Sequence, residues 1–238
     1  MRGTSVAETQ SSWDDFFVFN PASRHRRRRI KSIVREACAP FEKVLDIGCG
    51  DGRLLEELQA EFRCGIYGME PHVSSATQRL KGILNGFYAC DIEDAVVKDT
   101  FDLIIMSEVL EHTKDDAKAM ANVAKMSSGH LLITVPAGPI RKTDVTMGHE
   151  RHYTVDSLRT LAERNGYKTL ACYVWGFPFH SLYRGLLNLA HDRVIHEFGQ
   201  TRYGPAQKLV SRLLYGLFFL NSSRRGCQLF YLGERLQS

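Results

Sequence analysis

The stretch "EKVLDIGCGDGRLLEEL", residues 42–58, decides the fold. Val44, Leu45 and Ile47 form a short apolar run of the kind that becomes a buried strand. Leu54, Leu55 and Leu58 repeat at helical spacing. Between them lie Gly48, Gly50 and Gly52, residues that tolerate positive φ and let the backbone approach a ligand closely. In an open parallel sheet the ligand crevice lies beyond the carboxyl ends of the strands, so this turn is placed to line it. The spacing is G-x-G-x-G. A dinucleotide fingerprint would require glycine at position 53, where Arg53 stands. No Lys-Ser/Thr pair of a phosphate-binding loop follows, and Asp46 would repel a pyrophosphate. The turn therefore predicts a ligand with positive or hydrogen-donating groups.

Working outward, short apolar runs alternate with helical patterns. Strands are expected at 43–47, 65–70, 86–91, 101–107 and 130–136, with helices to about 61 and over 73–84 and 114–126. Five strands joined by crossovers predict an α/β fold, a doubly wound, mostly parallel sheet with helices on both faces. A loop, "AGPIRKTDVTMGHERHY", follows Pro136, and then a helix with Thr154 as N-cap and Asn165-Gly166 as stop. Strands are expected at 167–175 and 227–235. The piece between them carries two amphipathic patterns, about 179–197 and 205–221, and reads as a helical insertion over 176–225. Upstream, Asn20-Pro21 starts a leading helix over 21–38. Residues 1–12 are polar and are expected to be a disordered tail, with 13–238 as a single domain.

Acids recur where these strands end. Glu70 lies about twenty residues after the turn, where a carboxylate can accept from both hydroxyls of a ribose. Asp91 is placed to accept from an adenine amino group, and together with Asp46 these acids imply a nucleoside without phosphate. With "VLDIGCGDG", "GMEPH", "CDIED", "FDLIIMSEVLEH" and "LLITVP" in order, residues 25–175 resemble the class I S-adenosylmethionine-dependent methyltransferases. The resemblance implies a seven-stranded Rossmann-like sheet in the order 3-2-1-4-5-7-6, with 227–235 as the antiparallel last strand. It further implies S-adenosylmethionine as cofactor and S-adenosylhomocysteine as product. Asp46, Gly48, Cys49 and Gly50 would then line the methionine portion, Glu70 and Pro71 the ribose, and Asp91 with Ile92 the adenine. Ser107 and Glu108 would close the site near the sulfonium. Simpler roles stand beside these: a tight turn for the glycines, a helix cap for Asp91, strand-end packing for Ser107.

Methyl transfer from a sulfonium is an in-line displacement in which positioning matters most, and a hydroxyl acceptor also benefits from a base. Three histidines are candidates: His112 in "SEVLEHT", and His149 and His152 in "GHERHYT". Segments of the form GHxRxYT occur in small-molecule members of the family. His149 is the first choice as base, and loop anchoring or capping is the competing role. Arg151 and Tyr153 of the same loop, with Phe179 and Tyr183 of the insertion, are expected to touch the acceptor. The expected activity is methylation of a small biosynthetic molecule, oxygen favoured over nitrogen and carbon. The acceptor can be hydrophobic or lipid-linked.

Composition narrows the classes. The chain has 238 residues, 44% hydrophobic and 24% charged, with a net charge of +4. Much of the basic excess is the run Arg24–Lys31, either a solvated helix face or an anchor for an anionic partner. The anchor reading supports an alternative, an RNA or protein methyltransferase, although no Asn/Asp-Pro-Pro-Tyr/Phe motif follows the fourth strand and nucleic acid is disfavoured. A non-catalytic S-adenosylmethionine-binding module is the third reading. Cys38, Cys49, Cys64, Cys90, Cys172 and Cys227 show no metal-ligand spacing, so no metal is expected, and reduced thiols fit the cytoplasm. The start of the chain lacks a signal-peptide block, and the longest apolar run, Leu213–Leu220, is too short to span a bilayer. The insertion stripes suit core packing, a lid, a peripheral membrane contact or a dimer surface; the chain is expected as monomer or homodimer.

Overall fold

The computed structural model describes residues 15, 18–71, 78–192 and 202–236. The expected tail 1–12, the first half of the 73–84 helix and residues 193–201 of the insertion lie outside the described residues.

Seven strands form one sheet: β1 (Lys43–Ile47), β2 (Gly65–Met69), β3 (Leu84–Tyr88), β4 (Phe101–Ser107), β5 (Ser127–Pro136), β6 (Tyr167–Phe177) and β7 (Ser222–Arg235). Their order is β3-β2-β1-β4-β5-β7-β6, the order implied by the resemblance. Strands β1 to β5 pair in parallel, while β7 runs antiparallel to both β5 and β6. Because side chains alternate across a strand, each central strand serves two cores. Leu45, Ile47, Ile104, Met106, Ile133 and Tyr231 face one cluster. Val44, Leu103, Ile105, Leu132, Phe230 and Leu232 face the other.

Helices cover both faces. The first core receives Ala119, Met120 and Val123 of α3 (Asp116–Met126) and Leu158 and Ala162 of α5 (Val155–Arg164). The second receives Ile30 of α1 (Pro21–Ile33), Val34 of the π-helical turn Val34–Cys38 that continues it, and Leu54, Leu55 and Leu58 of α2 (Arg53–Phe62). Asn20 starts α1 as expected, its Oδ1 accepting from the amides of Ala22 and Ser23. Thr154 caps α5 by accepting from the Ser157 amide at 3.1 Å.

Several boundaries differ from the sequence expectation. Strand β3 spans Leu84–Tyr88 instead of 86–91. Asn85 Oδ1 accepts from the Ile66 amide, and the Asp91 carboxylate accepts from the Glu93 amide to open the 3₁₀ turn Ile92–Asp94, so the chain has left the sheet before Asp91. The segment expected as a plain loop after Pro136 contains a short helix, α4 (Lys142–Thr146), opened by Asp144 Oδ2 accepting from the Arg141 amide at 2.9 Å. Strand β7 begins at Ser222, five residues before the expected 227.

The insertion contributes α6 (Phe179–Leu189), α7 (Pro205–Leu217) and the 3₁₀ turn Phe218–Leu220. It packs on α1, where Arg24 lies 4.2 Å over the Tyr215 ring and Arg28 4.3 Å over Phe219. Most of the basic run has a partner within the chain: Arg26 pairs with Glu108, Arg27 and Lys31 with Glu57, and Arg29 Nη2 donates to the Tyr173 hydroxyl.

Candidate active site

The turn after β1 is built on three left-handed glycines at alternate positions, Gly48 (φ 70°), Gly50 (φ 54°) and Gly52 (φ 76°). A Cβ at Gly48 would stand 2.3 Å from Val109 Cγ2, so the residue is held to glycine by space as well as by φ. A Cβ at Gly50 would meet nothing within 4 Å, and that side of the turn is open to a ligand. The amides of Gly48 and Cys49 donate to Met69 O, fixing the turn to the end of β2. The Gly50 amide donates to Glu70 Oε2 at 3.1 Å, so the second-strand acid and the glycine turn meet directly.

The acids of this region have distinct environments. Asp46 is buried, and its Oδ1 has no hydrogen-bond partner. Burial, then the nearby charges of Glu70 and Asp51, push its carboxyl well above the usual range. Asp51 is held by the protein: its Oδ1 accepts from the Arg53 amide and its Oδ2 pairs with Arg53 Nε at 3.2 Å, with Arg79 nearby. Arg53, which breaks the dinucleotide pattern, thus braces the turn. Cys49 is buried and its thiol is pushed up chiefly by desolvation, so it stays protonated. Asp91 caps the turn that carries buried Ile92, and Pro71 is exposed just past Glu70.

Beyond β4 and β5 lies a second group of polar residues. Ser107 Oγ and Thr134 Oγ1 lie 3.1 Å apart at the paired strand ends. Glu108 adopts φ 61°, a left-handed conformation rare for a non-glycine residue. Its carboxylate holds that geometry by pairing with Arg26 Nη1 at 3.1 Å and accepting from Gln228 Nε2 at 2.8 Å. One turn farther, Glu111 is wholly buried with no hydrogen-bond partner for either oxygen. Desolvation first, and Glu108 second, raise its carboxyl well above the ordinary value.

The loop "GHERHYT" closes over this group. His112 Nδ1 faces Gly148 O at 3.1 Å, His149 Nδ1 faces His152 Nε2 at 3.1 Å, and His152 Nδ1 faces Gly138 O at 2.9 Å. A carbonyl only accepts, so Nδ1 carries the proton in His112 and His152; His152 Nε2 then accepts from His149 Nδ1–H. Nε2 of His112 and of His149 are left with free lone pairs. Burial lowers the His149 pKa to about 4 and also lowers that of His152, so both rings are neutral near pH 7. Asp144 of α4 borders the group, paired with Arg184 Nη2 of α6 at 2.6 Å.

Other expected acceptor contacts are engaged within the protein. Arg151 donates to Lys114 O and pairs with Asp116. The Tyr153 hydroxyl donates to Asp116 Oδ2 at 2.8 Å, and Tyr153 is buried in the first core. These two residues tie the loop to the start of α3. Phe179 and Tyr183 pack against the second core, and the Tyr183 hydroxyl accepts from Asn20 Nδ2. Arg26, Glu111, Thr134, Asp144 and Gln228 join this region in the fold without standing in any of the motifs as site residues. Glu111 alone had a local signal, standing beside His112 in "SEVLEHT"; Arg26 lay within the basic run without a distinguishing neighbour.

Comparison with known proteins gives the family. Residues 22–171 match the family described as Methyltransferase domain. The chain belongs to it. The characteristic cofactor of class I enzymes with this fold is S-adenosylmethionine. The chain is 30% identical over 132 residues to a ubiquinone biosynthesis O-methyltransferase of Rhizobium etli (strain CIAT 652), a match covering 48% of this chain and 53% of the relative. It thus spans about half the length of the curated relatives it matches. Among solved structures, the N-methyltransferase NodS from Bradyrhizobium japonicum WM9, in complex with S-adenosylhomocysteine, superposes with TM-score 0.59 at 18% identity, covering 97% of this chain and 99% of that one. A putative sarcosine dimethylglycine methyltransferase from Galdieria sulphuraria gives TM-score 0.64 at 14% identity, covering 95% and 98%. At these identities the structures speak for the fold.

Proposed function

We propose that the protein transfers a methyl group from S-adenosylmethionine to a hydroxyl oxygen of a small biosynthetic molecule. The observation that carries this reading is the junction at Gly50: its amide meets Glu70 at 3.1 Å beside an open face of the turn, and Asp46 holds an unpartnered oxygen beneath it. Such a cradle fits a nucleoside that carries donors and positive charge. Asp46, Gly48, Cys49 and Gly50 would hold the methionine portion, Glu70 and Pro71 the ribose, Asp91 and Ile92 the adenine. Ser107 and Glu108 would border the reacting end.

The cofactor supplies a methyl group already activated on a sulfonium, so the protein's task is alignment and removal of one proton. His149 Nε2 is the free lone pair suited to take that proton, with His152 fixing its tautomer and His112 beside it at a ring separation of 4.7 Å. Arg26 and Gln228 hold Glu108 in place. Arg151, Tyr153, Phe179 and Tyr183 would shape the acceptor's surroundings through the loop and the insertion. The O-methyltransferase relative supports oxygen as the acceptor atom.

An apolar or lipid-linked acceptor is favoured by the insertion, which exposes Leu182, Leu186 and Leu189 on α6 and Leu209, Val210 and Leu213 on α7. The same residues would suit peripheral contact with a membrane; among the described residues no helix is long and apolar enough to cross one. We read residues 13–238 as one catalytic unit working in the cytoplasm as monomer or homodimer. An RNA-anchoring role for the basic run is disfavoured because most of it is paired within the chain.

The test is incubation with methyl-labelled S-adenosylmethionine and a small-molecule extract, read by mass spectrometry. Label on an oxygen of a small molecule is the expected result. Label confined to the RNA or protein fraction overturns the reading.

A further inference from the structure

Against the expectation of no metal, the structure brings the adjacent pair Glu111-His112 together with His149, which lies 37 positions after His112. Glu111, His112 and His149 each offer one atom, and these atoms lie within 4.8 Å of one another. Glu111 and His112 come from the 3₁₀ turn Leu110–His112 after β4, and His149 from the loop before α5. We propose that Glu111, His112 Nε2 and His149 Nε2 bind a divalent d-block cation.

Three observations converge on it. Glu111 is 0% exposed and neither oxygen has a hydrogen-bond partner; its own amide, which favours the charged form, lies outside hydrogen-bond geometry. A buried carboxylate left so is costly, and a cation removes the cost. The nearby cations are engaged elsewhere, Arg26 on Glu108 and Arg184 on Asp144. Finally, the rings are oriented as metal-bound histidines are, with the remote nitrogen donating to a neighbour: His112 Nδ1–H to Gly148 O, and His149 Nδ1–H to His152, itself held by Gly138 O.

A second grouping, Asp144, His149 and His152, shares His149 but is the poorer site. Its carboxylate already pairs with Arg184 and accepts from the Arg141 amide, and His152 Nε2 is occupied by His149. Two imidazoles and one carboxylate suit Zn²⁺, Mn²⁺, Fe²⁺ or Co²⁺, whereas Mg²⁺ and Ca²⁺ prefer oxygen alone. Three protein ligands leave positions open for an acceptor oxygen. This part rests on the proposed function. A hydroxyl bound there would lose its proton to solvent at lower pH than when free, and His149 would then hold the cation instead of taking the proton itself.

The test uses full-length, tag-free protein, stripped with a chelator, desalted and titrated with Co²⁺ alone. One equivalent should bind, with visible d–d bands reporting nitrogen ligation, and calorimetry should give the affinity. Glu111→Gln and His112→Ala should each weaken binding at least about tenfold. His112 is exposed, so its replacement tests the site even if the buried variant does not fold. Absence of saturable one-equivalent binding, or wild-type affinity in His112→Ala, overturns the site. Methylation of a hydroxyl by protein that binds no Co²⁺ overturns the cation and leaves the proposed function standing. Tight Co²⁺ binding without methylation of any small molecule does the reverse.

Discussion

The turn after β1 is held by residues close in sequence, whereas the polar group beyond β4 and β5 is held by residues from opposite ends of the chain. Arg53 braces Asp51 two positions away, and Gly50 meets Glu70 across 20 residues. Gln228 reaches Glu108 across 120, and Arg26 reaches the same carboxylate across 82. A locally built site is specified once its own strand-turn-helix unit forms. One built at long range depends on the docking of α1, the insertion and β7. Loss of a ligand-facing side chain in the first should therefore show as a cofactor defect, and loss of one in the second should leave cofactor binding intact.

The sharpest way to break the local half is Gly48→Ala. It combines a left-handed φ of 70° with a Cβ 2.3 Å from Val109 Cγ2, and we expect a loss of roughly 2–4 kcal/mol in denaturant unfolding. Adding Val109→Ala should recover the steric part and leave the backbone strain; no recovery would mean that the clash is not the cause. Next in size, Glu70→Ala should weaken cofactor binding by about 10- to 100-fold in calorimetry, the range for losing hydrogen bonds to a charged group. Unchanged affinity would show that Glu70 does not hold the ribose.

For the long-range half, Gln228→Leu removes the 2.8 Å donor to Glu108. A fall of about tenfold in kcat/KM is expected, with cofactor affinity changed by less than about threefold. An equal loss in both quantities would erase the distinction between the halves. The smallest effect concerns α1. His25 is 1% exposed, with both nitrogens unpartnered, and stacks on Trp175 at 4.7 Å. Burial, helped by Arg29 and Arg28, lowers its pKa to about 4. A depressed histidine pKa contributes stability that is fully present above the unfolded value near 6.5 and is lost as pH falls toward 4. Melting temperature should drop over that window, and His25→Phe should flatten the drop without loss at pH 7. An unchanged slope would assign the acid sensitivity to His149 and His180.

Legibility in the sequence follows the same division. The alternation of strands and helices, the glycine turn and the placing of Asp46 and Glu70 at strand ends could be read because short-range periodicity and spacing determine them, whereas the strand order followed from the family resemblance. Glu111 and Gln228 could not, since a buried acid and a glutamine in an apolar strand acquire meaning only when other elements arrive beside them. The basic run left two readings open, a solvated helix face and an anchor for an anionic partner; Glu57, Glu108 and the rings of Tyr215 and Phe219 occupy much of it internally. The β3 boundary moved because side-chain acceptors, Asn85 and Asp91, drew backbone amides that hydrophobic patterning does not register.

Helix α1 touches Glu108 through Arg26 and the insertion through Arg24, Arg28 and Asn20. It is a wall shared between the reacting centre and a peripheral layer whose α6 also reaches the histidine loop through Arg184 and Asp144. Variation selected on the far side at Tyr215 or Phe219, the positions that Arg24 and Arg28 cover, would therefore reach turnover through the tilt of α1. In laboratory evolution, improvements in rate should accumulate in α7 alongside the pocket, with epistasis between Tyr215 and Arg26 as their signature.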